Sequence, residues 1–286
     1  MKTIRVIITA LALLALPAMS RAQYIVTDTI IPERIAVKSS QFGITLLNNL
    51  DTYLSNYNHK GLGLNYSYEN FRDARTGNYR WKYQTLLNVT AGYATQGSNL
   101  QYSALIGYNW SGYHPFKVAK GLTLLAGAQI QLEGGALYNP AGGNNPAAAK
   151  LRTALAASGM AIYHFPVRRS EWIARYQLDI PLMGAMFAPE FGQSYYEIFG
   201  LGHANNILAF THPSNNPSWR HMLSLDIPMK AKQHSTTLRI SYTSDLYQSR
   251  INEINSHIYR HTFSFGFART IFKVKKNNRL NDYSPY

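Results

Sequence analysis

The 286-residue sequence contains no cysteine. It can therefore hold neither a disulfide framework nor a thiolate metal site, and no cysteine is available for the lipid anchor of a lipoprotein. Charged residues make up only 15 % of the chain, and no apolar run reaches the roughly eighteen residues of a spanning helix. No glycine-rich phosphate loop follows a strand and opens a helix, which removes the common nucleotide-binding motifs. The nine histidines are scattered. Only His257 and His261 lie close, and on a strand they stand about 13 Å apart at 3.3 Å per residue, too far for one ion. Neither a metal nor a cofactor is expected.

What the chain does have is aromatic and small residues, with 21 Tyr, 12 Phe, 4 Trp and 20 Gly. At its start Lys2 and Arg5 precede an apolar run over residues 6–16, then Pro17 and a small-residue site ending in Ser20 and Ala22. That order predicts a cleaved secretory signal peptide over residues 1–22, with cleavage before Gln23. An exported chain without a spanning helix is secreted, periplasmic or an outer-membrane barrel.

The stretch 79–111 separates these options. Tyr79, Trp81, Tyr83, Thr85, Leu87, Val89, Ala91 and Tyr93 alternate with Arg80, Lys82, Gln84, Asn88, Thr90 and Gly92. After the turn 96–99, Leu100, Tyr102, Ala104, Ile106, Tyr108 and Trp110 alternate with Gln101, Ser103, Gly107, Asn109 and Ser111. Period two means strands, because successive side chains point to opposite faces. Each strand is long enough to cross a bilayer at a tilt, which takes about nine to eleven residues. Its aromatic ends match interfacial girdles around an aliphatic strip, with Trp172 and Trp219 placed likewise on later strands.

The same alternation recurs over 61–71, 121–133, 172–186, 219–229, 235–247 and 256–272, and less regularly over 41–50 and 150–165. Residues 51–60 read as a polar loop, residues 137–149 as a long Gly/Asn/Pro loop on the extracellular side, and PVRRS and KAKQ as short turns. Segment 189–216 is ambiguous between an irregular strand over 195–210 and a loop folding toward the lumen. The repeated LDIP after Trp172 and after Trp219 favours an intervening strand if both copies run the same way. That count gives eleven strands from Gln41, and an even barrel then recruits residues 25–31 as a twelfth. Without the ambiguous strand the count is ten. The expected fold is all-β, a transmembrane antiparallel barrel of about twelve strands, or ten, over residues 23–272, with a basic polar periplasmic tail over 273–286.

A sheet that is apolar outside and polar inside is satisfied in lipid only when closed, since every backbone N–H and C=O must pair. The inward set is Arg80, Lys82, Gln129, Gln131, Glu133, Arg175, Gln177, Asp179, Arg239 and Asp245. Each charge would cost roughly 2 to 4 kcal/mol facing the lipid midplane. Facing inward they form either a selectivity lining or a salt-bridged plug. The net charge of +14 on an exported chain points away from nucleic acid and toward lipopolysaccharide, outer-membrane lipids or anionic solutes. A monomer in the cell outer membrane is expected, either porin-like or a binding and scaffold barrel.

The segment Phe210, Thr211, His212, Pro213, Ser214, Asn215 resembles the F-x-H-x-S-N motif of outer-membrane lipid A deacylases, and its H-x-S-N part is similar to outer-membrane phospholipases. The resemblance implies a lipid hydrolase with His212 as base and Ser214 as nucleophile. The acid that would orient the imidazole is missing nearby, Asp226 being the nearest in sequence. The aromatic last strand (Tyr259, Phe263, Phe265, Phe267) resembles the C-terminal strand by which the outer-membrane insertion machinery recognises barrels, although it ends at Phe272 and a tail follows. LLNNLDTYLS (46–55), PEFGQSYYEIF (189–199) and SHIYRHTFSFGF (256–267) resemble an uncharacterised family of exported Gram-negative proteins, a domain of unknown function. That resemblance implies an outer-membrane barrel and carries over no catalytic residue.

Overall fold

The computed structural model describes residues 34–76, 79–143, 145–168, 170–229 and 236–273. The signal peptide, the strand candidate 25–31, the KAKQ turn, the tail beyond Lys273 and the side chains of Tyr79 and Arg80 lie outside the described residues. The strands are β1 (Arg34–Asp51), β2 (Ser55–Thr76), β3 (Tyr79–Gln96), β4 (Asn99–Ala119), β5 (Leu122–Tyr138), β6 (Ala147–Val167), β7 (Ser170–Phe187), β8 (Leu208–Thr211), β9 (Trp219–Pro228), β10 (Thr236–Ile251) and β11 (Ile254–Lys273). A single helix turn, α1 (Tyr195–Phe199), precedes β8.

Neighbouring strands pair antiparallel in chain order from β1 to β7, and the ring closes through β7–β9–β10–β11–β1. Ten strand positions make the barrel, because β8 and β9 share one. β9 pairs with Ile173–Asp179 of β7 and β8 with Gly184–Phe187 farther along the same edge. The count of twelve is thereby corrected. β1 is hydrogen-bonded to β11 from Arg34 to Asp51 and to β2 on its other side, so no open edge is left for a further strand. The ambiguous segment supplies α1 and the four-residue β8 instead of a spanning strand. The two LDIP copies lie on strands β7 and β9 that pair directly and run in opposite directions, so no strand separates them.

Alternation fixes the two faces. Ile44, Leu64 and Phe265 are 58 %, 61 % and 66 % exposed on the outside, whereas Thr45, Asn65 and Ser264 beside them are buried inside. The turns obey the hairpin rule that strand twist favours positive φ. Gly97 turns β3 into β4 at φ 59°, and Asn252 and Glu253 turn β10 into β11 at 51° and 62°. Polar residues 55–60, read from the sequence as loop, belong to β2, and only residues 52–54 turn. Both described chain ends lie at the same end of the barrel as the turns after β2, β4 and β6. The connections after β5 and β7 lie at the opposite end and include the longest one, 188–207.

Inside, the barrel is layered. Near the terminus-bearing end Phe71, Tyr113, Leu125, Met160 and Ile162 form an apolar plate, with Ile173 against it. Near the loop-bearing end Leu105, Leu137, Met186, Ala188, Tyr247 and Ile258 form a second plate. Between them lies charge.

Candidate functional site

The charged layer is assembled from almost every strand. Glu69 on β2 accepts two hydrogen bonds from Arg175 on β7, at 2.9 and 2.6 Å, one from Gln84 at 2.7 Å and one from Arg239 on β10. Arg239 also grips Asp226 on β9 with two bonds of 2.5 and 2.7 Å. Farther up, Arg220 donates twice to Asp179, at 2.9 and 2.6 Å. Arg152 and Arg260 both donate to Glu133, and Arg260 also reaches Asp245 at 2.6 Å. Lys150 pairs with Asp51 at 2.5 Å. Each carboxylate therefore meets a guanidinium or ammonium on another strand, and fork-to-fork geometry makes the arginine pairs directional as well as attractive.

Two tyrosines join the plates to this layer. Tyr113 has its ring in the lower plate, while its hydroxyl donates to Gln84 at 3.0 Å and bonds Ser158 at 2.8 Å. Tyr247 sits in the upper plate beneath the Arg152 guanidinium, 4.5 Å from its ring centre. One cavity in the layer, of about 60 Å³, is lined by Glu69, Glu133, Arg152, Arg220, Asp245 and Arg260 among others. That is room for about four waters, and not for a solute path.

Of the inward residues picked from sequence, Gln129, Arg175, Gln177, Asp179 and Arg239 are buried in this network, Glu133 and Asp245 are partly buried in it, and Gln131 joins it through Gln129 at 2.7 Å. Lys82 stands apart, paired with Asp73 at 2.5 Å near the terminus-bearing end. Glu69, Arg152, Arg220, Asp226 and Arg260 belong to the same layer. The alternation that marked Gln84 and Gln177 would have marked Glu69, Arg220, Asp226 and Arg260 too, since each falls on the polar register of its strand, whereas Arg152 shares its register with Ala154, Ala156, Met160 and Ile162 and carries no such signal. On the outside, Trp81 and Tyr83 lie near the terminus-bearing end, Tyr83 stacking on Trp110 at 5.8 Å. Tyr93 is outward near the loop-bearing end, and Trp172 and Trp219 are outward on β7 and β9. Tyr108 and Trp110 sit in the middle of β4, because that strand continues to Ala119.

His212 and Ser214 lie in the excursion between β8 and β9, both exposed. The Ser214 backbone N–H donates to His212 Nδ1 at 3.3 Å, and the His212 backbone N–H donates to the Asn215 side chain at 2.9 Å. These bonds build a tight turn. No hydrogen bond among the described residues joins the Ser214 hydroxyl to the imidazole, and Asp226 is committed to Arg239 inside the barrel. On the edge facing this excursion β7 residues 180–183 have no ladder partner, and on their other edge β7 pairs with β6 through a bulge between Leu155 and Ala156. The wall is thinnest there.

The loop-bearing mouth is closed by residues 189–206. Ser194 caps α1 in a reciprocal box with Glu197, and these bonds hold the Glu197 carboxyl below its ordinary pKa. The Tyr53 hydroxyl donates to the Gln193 carbonyl at 2.7 Å, and burial, with further contributions from Tyr195 and Asp51, pushes its pKa up to about 12. Phe187, Tyr195 and Phe199 stack over the rim with ring planes 11–12° apart. Among the described residues no cluster of three His, Asp or Glu side chains could hold a metal, and no helix is long and apolar enough to cross a membrane.

A family model described as a protein of unknown function, DUF3316, matches residues 6–278. The chain belongs to that family. Among solved structures it is similar to the beta domain of the Bordetella autotransporter BrkA, at 13 % identity and TM-score 0.42, over 82 % of this chain and 99 % of that one. It is also similar to the translocator domain of the autotransporter NalP from Neisseria meningitidis, at 10 % identity and TM-score 0.40, over 84 % and 88 %. The outer-membrane protease OmpT from Escherichia coli follows at 6 % identity and TM-score 0.39, over 86 % and 99 %. A search of curated proteins finds no match. The barrel itself rests on the closed ladder and the two-faced strands described above.

Proposed function

We propose that this chain is an integral outer-membrane barrel of the closed kind, a structural or scaffold protein that presents its surfaces instead of passing a solute. The observation that carries the reading is the filled interior, in which charged side chains are paired across strands between two apolar plates around a cavity of about 60 Å³. The outward apolar band, the aromatic residues beside it and the closed ladder support the membrane position, since a sheet with such an outer face is at ease only in lipid. The exposed Phe263, Phe265 and Phe267 on β11 support recognition of the last strand by the insertion machinery.

Planar-bilayer recording tests the closed lumen. Purified protein is expected to give no steady unitary conductance, and reproducible steps would overturn the reading. Fractionation tests the location. Heat-modifiable gel mobility in the outer-membrane fraction is expected, and recovery as a soluble periplasmic protein would overturn it.

A further inference from the structure

The unpaired positive charge of the barrel is gathered at one end. At the terminus-bearing end Lys38, Arg72, Lys117, Lys120, Arg168 and Arg269 are exposed, and none of them pairs with a carboxylate among the described residues. Among the described residues the acids there are Asp73, held by Lys82, and Glu171, held by His164. At the loop-bearing end Lys60 and Arg250 are offset by Glu190, Glu197 and Glu253.

Three of these cations stand on three adjacent strands, with the Arg72 guanidinium resting 5.8 Å from the Tyr83 ring centre on β3. Lys38 of β1 stands directly opposite Arg269 of β11 and opposite Asn70 of β2, with Arg72 two residues beyond Asn70. All face outward, because Ser39, Glu69, Phe71 and Ala268 between them are buried inside. Directly opposed residues have Cβ atoms roughly 4.5 to 5.5 Å apart, and like charges there destabilise the pair. The Lys38–Arg269 juxtaposition therefore calls for an anion. Beside it Asn70 is a half-buried, uncharged neighbour that adds no competing carboxylate. One position toward the barrel middle, Tyr68 and Phe267 flank Ser40 on the same outer face, and Phe267 is 53 % exposed.

We propose that Lys38, Arg72 and Arg269 form a headgroup site for an anionic phospholipid of the phosphatidylglycerol type. The phosphate lies among the three cations, and the acyl chains run along Tyr68 and Phe267. The end with both termini and short turns faces the periplasm in barrels of this kind, so the partner is a phospholipid of the inner leaflet and not lipopolysaccharide. This inference rests on the membrane position proposed above. The two fail separately, because lipid binding in micelles is read independently of fractionation.

The test uses the full chain in non-ionic detergent, with lipid retention followed by native mass spectrometry. The wild type is expected to retain phosphatidylglycerol in preference to phosphatidylcholine. Replacing Lys38, Arg72 and Arg269 together by Gln is expected to weaken retention roughly a hundredfold, whereas Lys60→Gln with Arg250→Gln leaves it unchanged. Heat-modifiable mobility checks that each variant folds. If the triple variant does not, Lys38→Gln alone is expected to weaken retention by roughly fivefold. Equal retention by folded triple variant and wild type would overturn the site, as would equal retention of phosphatidylcholine. Displacement by inorganic phosphate at matched concentration, or tighter binding of purified lipopolysaccharide, would overturn the phospholipid assignment.

Discussion

The charged layer and the apolar plates both keep bulk water out of the barrel, yet they respond to damage in opposite ways. A plate side chain that is shortened leaves a hole, and its neighbours relax part of the way. A carboxylate that is removed leaves one or two cations buried with nothing to neutralise them, and no relaxation replaces the missing charge. The layer therefore gives the barrel a specific arrangement more than it gives net stability, since the desolvation of buried ions offsets much of their attraction.

The sharpest way to break this contrast is Glu69→Gln, which strips the acceptor shared by Arg175 and Arg239. It is expected to cost about 3–5 kcal/mol, read as a lowered urea midpoint of the detergent-folded protein. Ile258→Ala in the upper plate, a residue 1 % exposed, is expected to cost about 2–4 kcal/mol in the same assay without opening a conductance, because the charged layer still closes the bore. Replacing the Asp179–Arg220 pair as a unit, by Leu and Met, is expected to cost less than either single change, and it stays within about 1–2 kcal/mol if the layer acts through pairing. A cost equal to the sum of the singles would refute that picture.

Two smaller effects concern the wall and the mouth. Backbone amides of Ile180, Leu182 and Met183 in β7, where the edge facing β8 and β9 has no ladder partner, are expected to exchange hydrogen faster than those of 173–179; uniform protection would show that the wall is continuous. Tyr53 lies at the mouth, and its raised pKa means that the unfolded chain ionises first. Its contribution is complete below the ordinary tyrosine pKa near 10 and is lost as pH rises toward about 12. Tyr53→Phe should flatten that alkaline loss, as monitored by phenolate absorbance alongside unfolding.

Much of this was legible in the alternation. The hairpin 79–111 reveals both faces of its strands because inward and outward residues differ in chemistry at nearly every step. Residues 55–60 misled for the same reason. SNYNHK is polar on both faces, and polarity alone reads as loop although His59 points into the barrel and is fully buried. The helix α1 carried its own signature, Ser194 followed by Glu197, the capping-box spacing, which the surrounding aromatic residues obscured. The ion pairs could not be read at all. Alternation puts Glu69 and Arg239 on the inner face, but only the closure of the ring brings residues 170 positions apart into contact.

That separation bears on how the barrel is made. Glu69 arrives with the second strand and Arg239 with the tenth, and Glu133 on β5 waits for Arg260 on the last. Before then Glu133 has Arg152 of the next strand and Glu69 has Arg175 of β7, while Arg239 and Arg260 each bring a carboxylate partner on a neighbouring strand. Sealing the seam between β1 and β11 therefore fuses pairs made locally into one network that spans the bore.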